Sequence, residues 1–322
     1  IREKGLTTPS LMELYLDIDI ACSSGCKYFV MEVSSHAIDQ NRIEGLEFIA
    51  KILTNITSDH LDYHKTIENY IEVKNSFFRD DSFKIINKDQ KYLSFKETNF
   101  ITYGIENSGS MSVLAYSLND GIDAKISYGK EEAFIHSPLF GRHNLYNILA
   151  AMTTLRGLEI ASIDEISLAL EHFGGVAGRG QRVSEEPLIV VDFAHTEDGM
   201  RQIFESFPNK DLVVVFGAGG DRDKTKRPRM GAIASIFCKK IYITSDNPRS
   251  EDPQIIAQEI ASGIKNKIFY IILDRGEAIK EASKNLKSNE LLLVLGKGDE
   301  DYIESNGKKS YFSDIEFIKG LL

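Results

Sequence analysis

Positive charge is short in this chain of 322 residues, where 38 Lys and Arg stand against 48 Asp and Glu for a formal net charge of −10. A partner with a phosphate backbone leaves a basic footprint on its protein, so no nucleic-acid partner is expected. Small anionic ligands remain possible where positive charge is concentrated locally. Cysteine is shorter still. Cys22, Cys26 and Cys238 form an odd set without the spacing of a disulfide framework, which fits a reducing, cytoplasmic setting. No apolar stretch reaches the roughly 18 residues of a membrane span, so no membrane partner is expected either. No signal peptide is read at the start, where the chain opens on Ile1 and is already in a loop by Thr7 and Thr8. A preceding N-terminal portion is expected. Against a prior of about 150 residues per domain, the length suggests two domains with substantial cores.

What is present is an alternation of apolar runs with helical patterns. "KYFVMEV" (27 to 33) and "FIAKILTN" (48 to 55) read as strands, and "TIENYIEVKNSFF" (66 to 78) carries apolar residues at helical spacing. Residues 112 to 138 hold alternating stretches separated by "NDG" and "GKE", the pattern of an antiparallel meander. Two helices follow, "NLYNILAAMTTLRGL" and "IDEISLALEHF", before the glycines and charges of "GGVAGRGQRVSEEP" break the pattern. The domain boundary is placed there, giving domains 1–183 and 184–322. From 188 onward "LIVVDFA", "DLVVVFG", "KKIYITS", "KIFYIIL" and "ELLLVLG" read as strands with a helical pattern between each and the next. A second parallel sheet follows from that order.

Ligands of open parallel sheets gather beyond the carboxyl ends of the strands. Six polar sets fall there: Glu32 to His36, Asn55 to His64, Asp192 to Thr196, Gly217 to Lys224, Asp246 to Arg249, and Gly296 to Glu300. Taken singly each has a bland reading. A lone Gly-rich turn such as "GAGGDRDK" is weak evidence for phosphate, the His and Asp of "SDHLDYH" could be solvated rather than metal ligands, and Lys74 on a helix is ordinarily a surface lysine. "SDNPRSEDP" is the most pointed of them. Its Pro248 fixes one φ near −65°, and its neighbours Asp246, Asn247 and Arg249 offer an anion, an amide and a guanidinium in one turn.

Taken together, "MEVSSHAIDQNRIEGLEF", "TNITSDHLDYHKTIENYIEVK", "GRHNLYNILAA", "VDFAHTEDGM", "VFGAGGDRDKTKRPRMGAIA", "SDNPRSEDP" and "GKGDEDY" resemble, in order, the blocks of the Mur ligases, through essentially the whole chain. The resemblance implies an α/β protein of two domains here: a central, mostly parallel-sheet ATPase domain and a C-terminal Rossmann-like domain that binds the incoming amino acid. The family's P-loop, GxxxxGK[ST], is expected upstream of Thr7, since no such motif occurs within the chain. Without it the chain by itself is expected to be catalytically incompetent. The implied reaction is ATP-dependent, ADP-forming addition of meso-diaminopimelate to the D-glutamate of UDP-MurNAc-L-Ala-D-Glu through an acyl phosphate, in peptidoglycan precursor synthesis. The resemblance implies ATP as cosubstrate and Mg²⁺ as cofactor, and a monomer is expected.

Residue by residue, the resemblance assigns Glu32 and His60 as Mg²⁺ ligands and Lys74 as a carbamylated lysine that ligates or braces the second metal. A hard carboxylate oxygen suits Mg²⁺, and carbamylation needs a neutral amine, which desolvation favours. Thr7, Thr8, Ser34, Gln40 and Arg42 match positions holding the UDP-MurNAc-dipeptide. Asn144 and Asn147 match positions beside adenine, and Arg179 and Asp192 match nucleotide contacts between the domains. Arg222, Asp246, Asn247, Pro248, Arg249, Gly296 and Glu300 match the diaminopimelate site, with Arg249 able to fork onto the distal carboxylate. Leu6 departs from the family's Asn, "GRGQ" from its Gly-Arg-Met-Glu, and Asp299 from its His. Two other classes stay open: a different ligase on the same scaffold, either a lysine- or ornithine-adding Mur ligase or a folylpolyglutamate synthase, and a noncatalytic relic that keeps the cleft.

Overall fold

The computed structural model describes residues 6–57, 60–119 and 121–322. Ser58 and Asp59 of "SDHLDYH", and Asp120 of the "NDG" turn, lie outside the described residues. The N-terminal half runs α1 (Leu11–Ser23), α2 (Ser35–Asp39), β1 (Ala50–Leu53), α3 (Leu61–His64), α4 (Ile67–Ser76), β2 (Phe83–Asn87), β3 (Phe100–Gly104), β4 (Met111–Ser117), β5 (Ile122–Tyr128), β6 (Glu131–Ser137), α5 (Arg142–Gly157) and α6 (Ile163–Glu171). Its strands lie in chain order, parallel from β1 to β4 and antiparallel across β4, β5 and β6. The meander is thus present as expected. One face of the sheet buries Ile85, Met111, Ile126 and Ile135 under Leu145, Ile148, Leu149 and Met152 of α5, and the other buries Leu53 and Ile86 with Tyr70 of α4.

α1 goes beyond the expectation from sequence. Its start is set by Ser10 and Glu13, whose side chains cap each other's backbone N–H groups. The strand expected at 27 to 33 is corrected: among the described residues this segment has no ladder partner, and Val30 is 90% exposed. The Glu32 carbonyl instead accepts a 2.9 Å hydrogen bond from the Thr8 hydroxyl, so a side chain takes a site that a neighbouring strand would occupy.

The C-terminal half runs β7 (Gln181–Glu185), β8 (Leu188–Asp192), α7 (Glu197–Glu205), β9 (Asp211–Phe216), α8 (Lys226–Phe237), β10 (Cys238–Ile243), α9 (Pro253–Ala261), β11 (Ile268–Ile271), α10 (Arg275–Lys284), β12 (Glu290–Leu295), β13 (Tyr302–Ser305), β14 (Lys308–Tyr311) and α11 (Asp314–Leu321). Sheet order is β11-β10-β9-β12-β8-β7, parallel except that β7 runs against β8. The expected boundary at 183/184 falls inside β7, which pairs with β8 of the second sheet.

Period-2 alternation explains the layers of this second sheet. Val214, Phe216, Leu291, Leu293 and Ile241 point to one side under Met200, Phe204, Met230 and Ile260, whereas Val213, Val215, Leu292 and Val294 point to the other under Ile279 and Ile318. Truncating one of these leucines to Ala would cost about 2–5 kcal/mol. β12, which comes last of the parallel strands in the chain, lies between β8 and β9, so the strand order reverses there. The carboxyl ends of β9, β10 and β12 consequently meet at a switch point, where such sheets bind ligands.

Candidate active site

A cleft of about 910 Å³ lies between the two halves. From the N-terminal half Thr7, Ser34, Arg42 and His60 line it, and from the C-terminal half Arg222, Asp246, Asn247, Arg249, Gly296 and Glu300. Ten expected site residues therefore meet in one space. Seven Lys or Arg face six Asp or Glu on the same walls, so the cleft escapes the acidic excess of the whole chain. Positive charge is concentrated where anionic ligands would need it.

The N-terminal wall is built on side-chain hydrogen bonds. Thr8 is fully buried, and its hydroxyl accepts from the Ser34 N–H at 3.0 Å. Ser34 caps α2 by accepting from the Ala37 N–H at 3.2 Å. Arg42 donates to the Thr8 carbonyl at 3.1 Å and to the Gln40 side-chain oxygen, and Gln40 donates to the Tyr63 hydroxyl at 3.1 Å. His60, in a left-handed backbone conformation with φ 54°, opens α3 and meets the ring of His36 edge-on at 4.8 Å. His36 also lines the cleft, and its place in "MEVSSH" gave it no role from sequence. Lys74, on α4 and half-buried, has its amine pushed down in pKa by desolvation, while the Glu32 carboxylate pulls it the other way. Neither Lys74 nor Glu32 is among the residues that line the cleft. Among the described residues no three His, Cys, Asp or Glu side chains converge as a metal cage.

The opposite wall is the 246–249 turn, and glycines let it close. A Cβ on Gly220 would lie 1.9 Å from the Pro248 carbonyl oxygen, so only glycine permits that approach. Asp246 and Asn247 are buried, and Asn247 donates to Glu300 at 2.9 Å. Beneath them sits Lys297, fully buried, 3.2 Å from the Glu300 carboxylate and 3.6 Å from that of Asp246. Lys297 went unassigned from sequence although it stands inside "GKGDE". Asp246 Oδ1, the oxygen nearest Lys297, is buried and accepts no hydrogen bond among the described residues. Below the turn, Arg275 donates through Nε and Nη2 to Asp314 at 2.7 Å each, to the carbonyl of Leu295 at 3.0 Å and to that of Ser245 at 3.4 Å, which links the segments that follow β10 and end β12.

Four expected residues lie apart from these two walls. Asn144 donates to the Phe140 carbonyl at 2.8 Å and receives Asn147 at 3.2 Å, both at the start of α5. Asp192 accepts from the Gly180 N–H at 2.6 Å and the Ala194 N–H at 2.7 Å, which pins the segment joining the two halves. Arg179 lies over the ring of Phe193, 4.3 Å from its centroid, and Phe193 does line the cleft.

A mostly parallel domain, a Rossmann-like domain and a cleft between them carrying both charge signs define a two-domain α/β protein with a charged interdomain cleft. Known proteins narrow the class. The model of the Mur ligase middle domain matches residues 1–155, and that of the Mur ligase glutamate ligase domain matches 178–298. A Wolinella succinogenes protein named UDP-N-acetylmuramoyl-L-alanyl-D-glutamate–2,6-diaminopimelate ligase is 60% identical, with 100% of this chain and 74% of that protein covered. A Helicobacter hepaticus protein of the same name is 52% identical, covering 99% and 70%. A solved structure bearing that name aligns with a TM-score of 0.64 at 28% identity over 97% of this chain and 68% of the other. The fold alone is shared with a pseudomurein peptide ligase type C from Methanothermus fervidus, TM-score 0.71 at 18% identity, covering 90% and 65%. This chain belongs to the Mur ligase family.

Proposed function

We propose that the protein joins meso-diaminopimelate to the D-glutamyl carboxylate of UDP-MurNAc-L-Ala-D-Glu, with cleavage of ATP to ADP, in the making of peptidoglycan precursor. The observation that carries this reading is the wall at 246–249: a guanidinium, two buried side chains with oxygen acceptors, and a neighbouring carboxylate at the mouth of one turn. Diaminopimelate is zwitterionic at both ends. Arg249 and Arg222 suit its distal carboxylate, and Asp246, whose buried Oδ1 accepts no hydrogen bond and has only Lys297 at 3.6 Å as an ion-pair partner, with Glu300 suits the ammonium beside it. The names of the relatives point the same way.

On the facing wall, Ser34, Thr7 and Arg42 are proposed to hold the muramoyl dipeptide, with Arg42 kept in place by the Thr8 carbonyl and Gln40. Glu32 and His60 would hold Mg²⁺, whose charge eases the approach of phosphate to a carboxylate. The desolvated Lys74 beside Glu32 fits that group, because a neutral amine there can take up CO₂ and become an anion. Asn144, Asn147, Arg179 and Asp192 are proposed on the nucleotide side. Asp192 already accepts two backbone N–H groups, so it serves to shape that side. In the full-length protein, phosphate release should require ATP, the dipeptide nucleotide and diaminopimelate together. Equal release without the amino acid would defeat the coupling.

A further inference from the structure

The turn that presents Arg249 is held by a hairpin to which the sequence motifs assign no role. β13 and β14 pair antiparallel, with Glu304 opposite Lys309 and Ser305 opposite Lys308. Asn306 and Gly307 join them with φ of 49° and 72°, the two positive values that a tight two-residue hairpin turn requires. Asn-Gly meets that need at little cost, so the register of this hairpin is firmly set.

Register decides which residue faces the turn, and that residue is Glu304. Its N–H donates to the side-chain oxygen of Asn247 at 2.9 Å, and its carbonyl accepts the N–H of Arg249 at 3.0 Å. Its carboxylate lies 3.5 Å from Arg249 Nε. The Asn306 N–H then donates to the Arg249 carbonyl at 2.7 Å. Arg249 needs such a clamp, because its φ of 51° is a left-handed conformation that a side chain with a Cβ adopts reluctantly. On its far side Nη1 donates to the Gly220 carbonyl at 2.8 Å. The guanidinium is therefore fixed from both flanks, and a ligand carboxylate is left the end of the fork.

We propose that Glu304 is a positioning residue for amino-acid selection: it orients Arg249 so that the guanidinium meets the distal carboxylate of the incoming diamino acid. The inference rests on the function proposed above. Glu304 touches no substrate and acts through Arg249. A long guanidinium side chain loses much of its forked recognition when it is free to swing, since ordering it must then be done by each ligand.

The test uses initial rates of the full-length enzyme against diaminopimelate concentration, with ATP and the dipeptide nucleotide saturating. Glu304→Ala should raise KM for diaminopimelate about tenfold while kcat falls less than about threefold, the size of one lost charge-assisted orientation. Glu304→Gln keeps an acceptor oxygen and both backbone hydrogen bonds, and should recover most of the affinity. In an Arg249→Ala background the change Glu304→Ala should add less than about twofold, because the two residues act as a unit. An unchanged KM in Glu304→Ala, or an equal rise with and without Arg249, overturns the positioning role while leaving diaminopimelate ligation intact. A wild-type enzyme that prefers lysine overturns the functional reading, and the positioning role with it, since lysine has no distal carboxylate to receive.

Discussion

Replacing Arg249 by Ala tests substrate choice where the structure is most explicit. The side chain is 23% exposed, so a carboxylate bound against it would be largely shielded from water. Ala can keep the left-handed backbone at 249 as well as Arg does, and the backbone hydrogen bonds to the Glu304 carbonyl and from the Asn306 N–H survive the change, so the turn should persist. What disappears is the cation. A desolvated carboxylate without its partner costs about 2–4 kcal/mol, or roughly 30- to 1,000-fold in kcat/KM for diaminopimelate. Lysine lacks that carboxylate and should be a poor substrate whose efficiency changes little on mutation. Arg249→Lys, which keeps charge without the fork, should fall between. The quantity to measure is the ratio of kcat/KM for diaminopimelate to that for lysine, in full-length wild-type and variant enzymes. Equal losses on both amino acids would show that Arg249 only builds the turn.

Lys74→Ala should lower kcat by about 100-fold or more, with partial recovery from a short carboxylic acid in solution and none from bicarbonate; full activity would remove the carbamate from the account. Asp314→Ala leaves the fully buried guanidinium of Arg275 without its counter-charge and should cost about 3–5 kcal/mol in urea unfolding, most of it recovered in Arg275→Met/Asp314→Leu. Glu251 accepts from Arg227 and the Asp221 N–H, which holds its carboxyl well below the ordinary 4.5. A depressed folded-state pKa stabilises fully above the unfolded value and loses that contribution as pH falls through the folded one. The Tm gap between wild type and Glu251→Gln should accordingly be constant from neutral pH to about 5 and shrink below it; a gap that widens in acid would refute the assignment.

Much of the C-terminal half was legible because its strands are short apolar runs bounded by turn signals, and period 2 alone puts Val213 and Val214 on opposite faces. The polar strand ends were legible for the same reason, since a strand's carboxyl end fixes where its next residues stand. Residues 27 to 33 misled because "KYFVMEV" has strand composition, while pairing is settled by neighbours that composition does not name. β7 misled because "QRVSE" is polar, and an antiparallel edge strand needs little apolar content. Lys297, Glu304 and Arg275 were invisible as site supports: each is a charged residue whose role depends on contacts 20 or more residues away. The Asn306-Gly307 pair is a hairpin signal legible in the sequence, yet it does not name Arg249 as the contact of Glu304.

The central claim is the identity of the bond formed. Full-length enzyme supplied with ATP, UDP-MurNAc-L-Ala-D-Glu and an equimolar mixture of meso-diaminopimelate, L-lysine and L-ornithine should yield, by mass spectrometry, almost solely the diaminopimelate-bearing tripeptide nucleotide, with one ADP for each product. A product carrying lysine or ornithine, or ADP released without any tripeptide, would contradict the account.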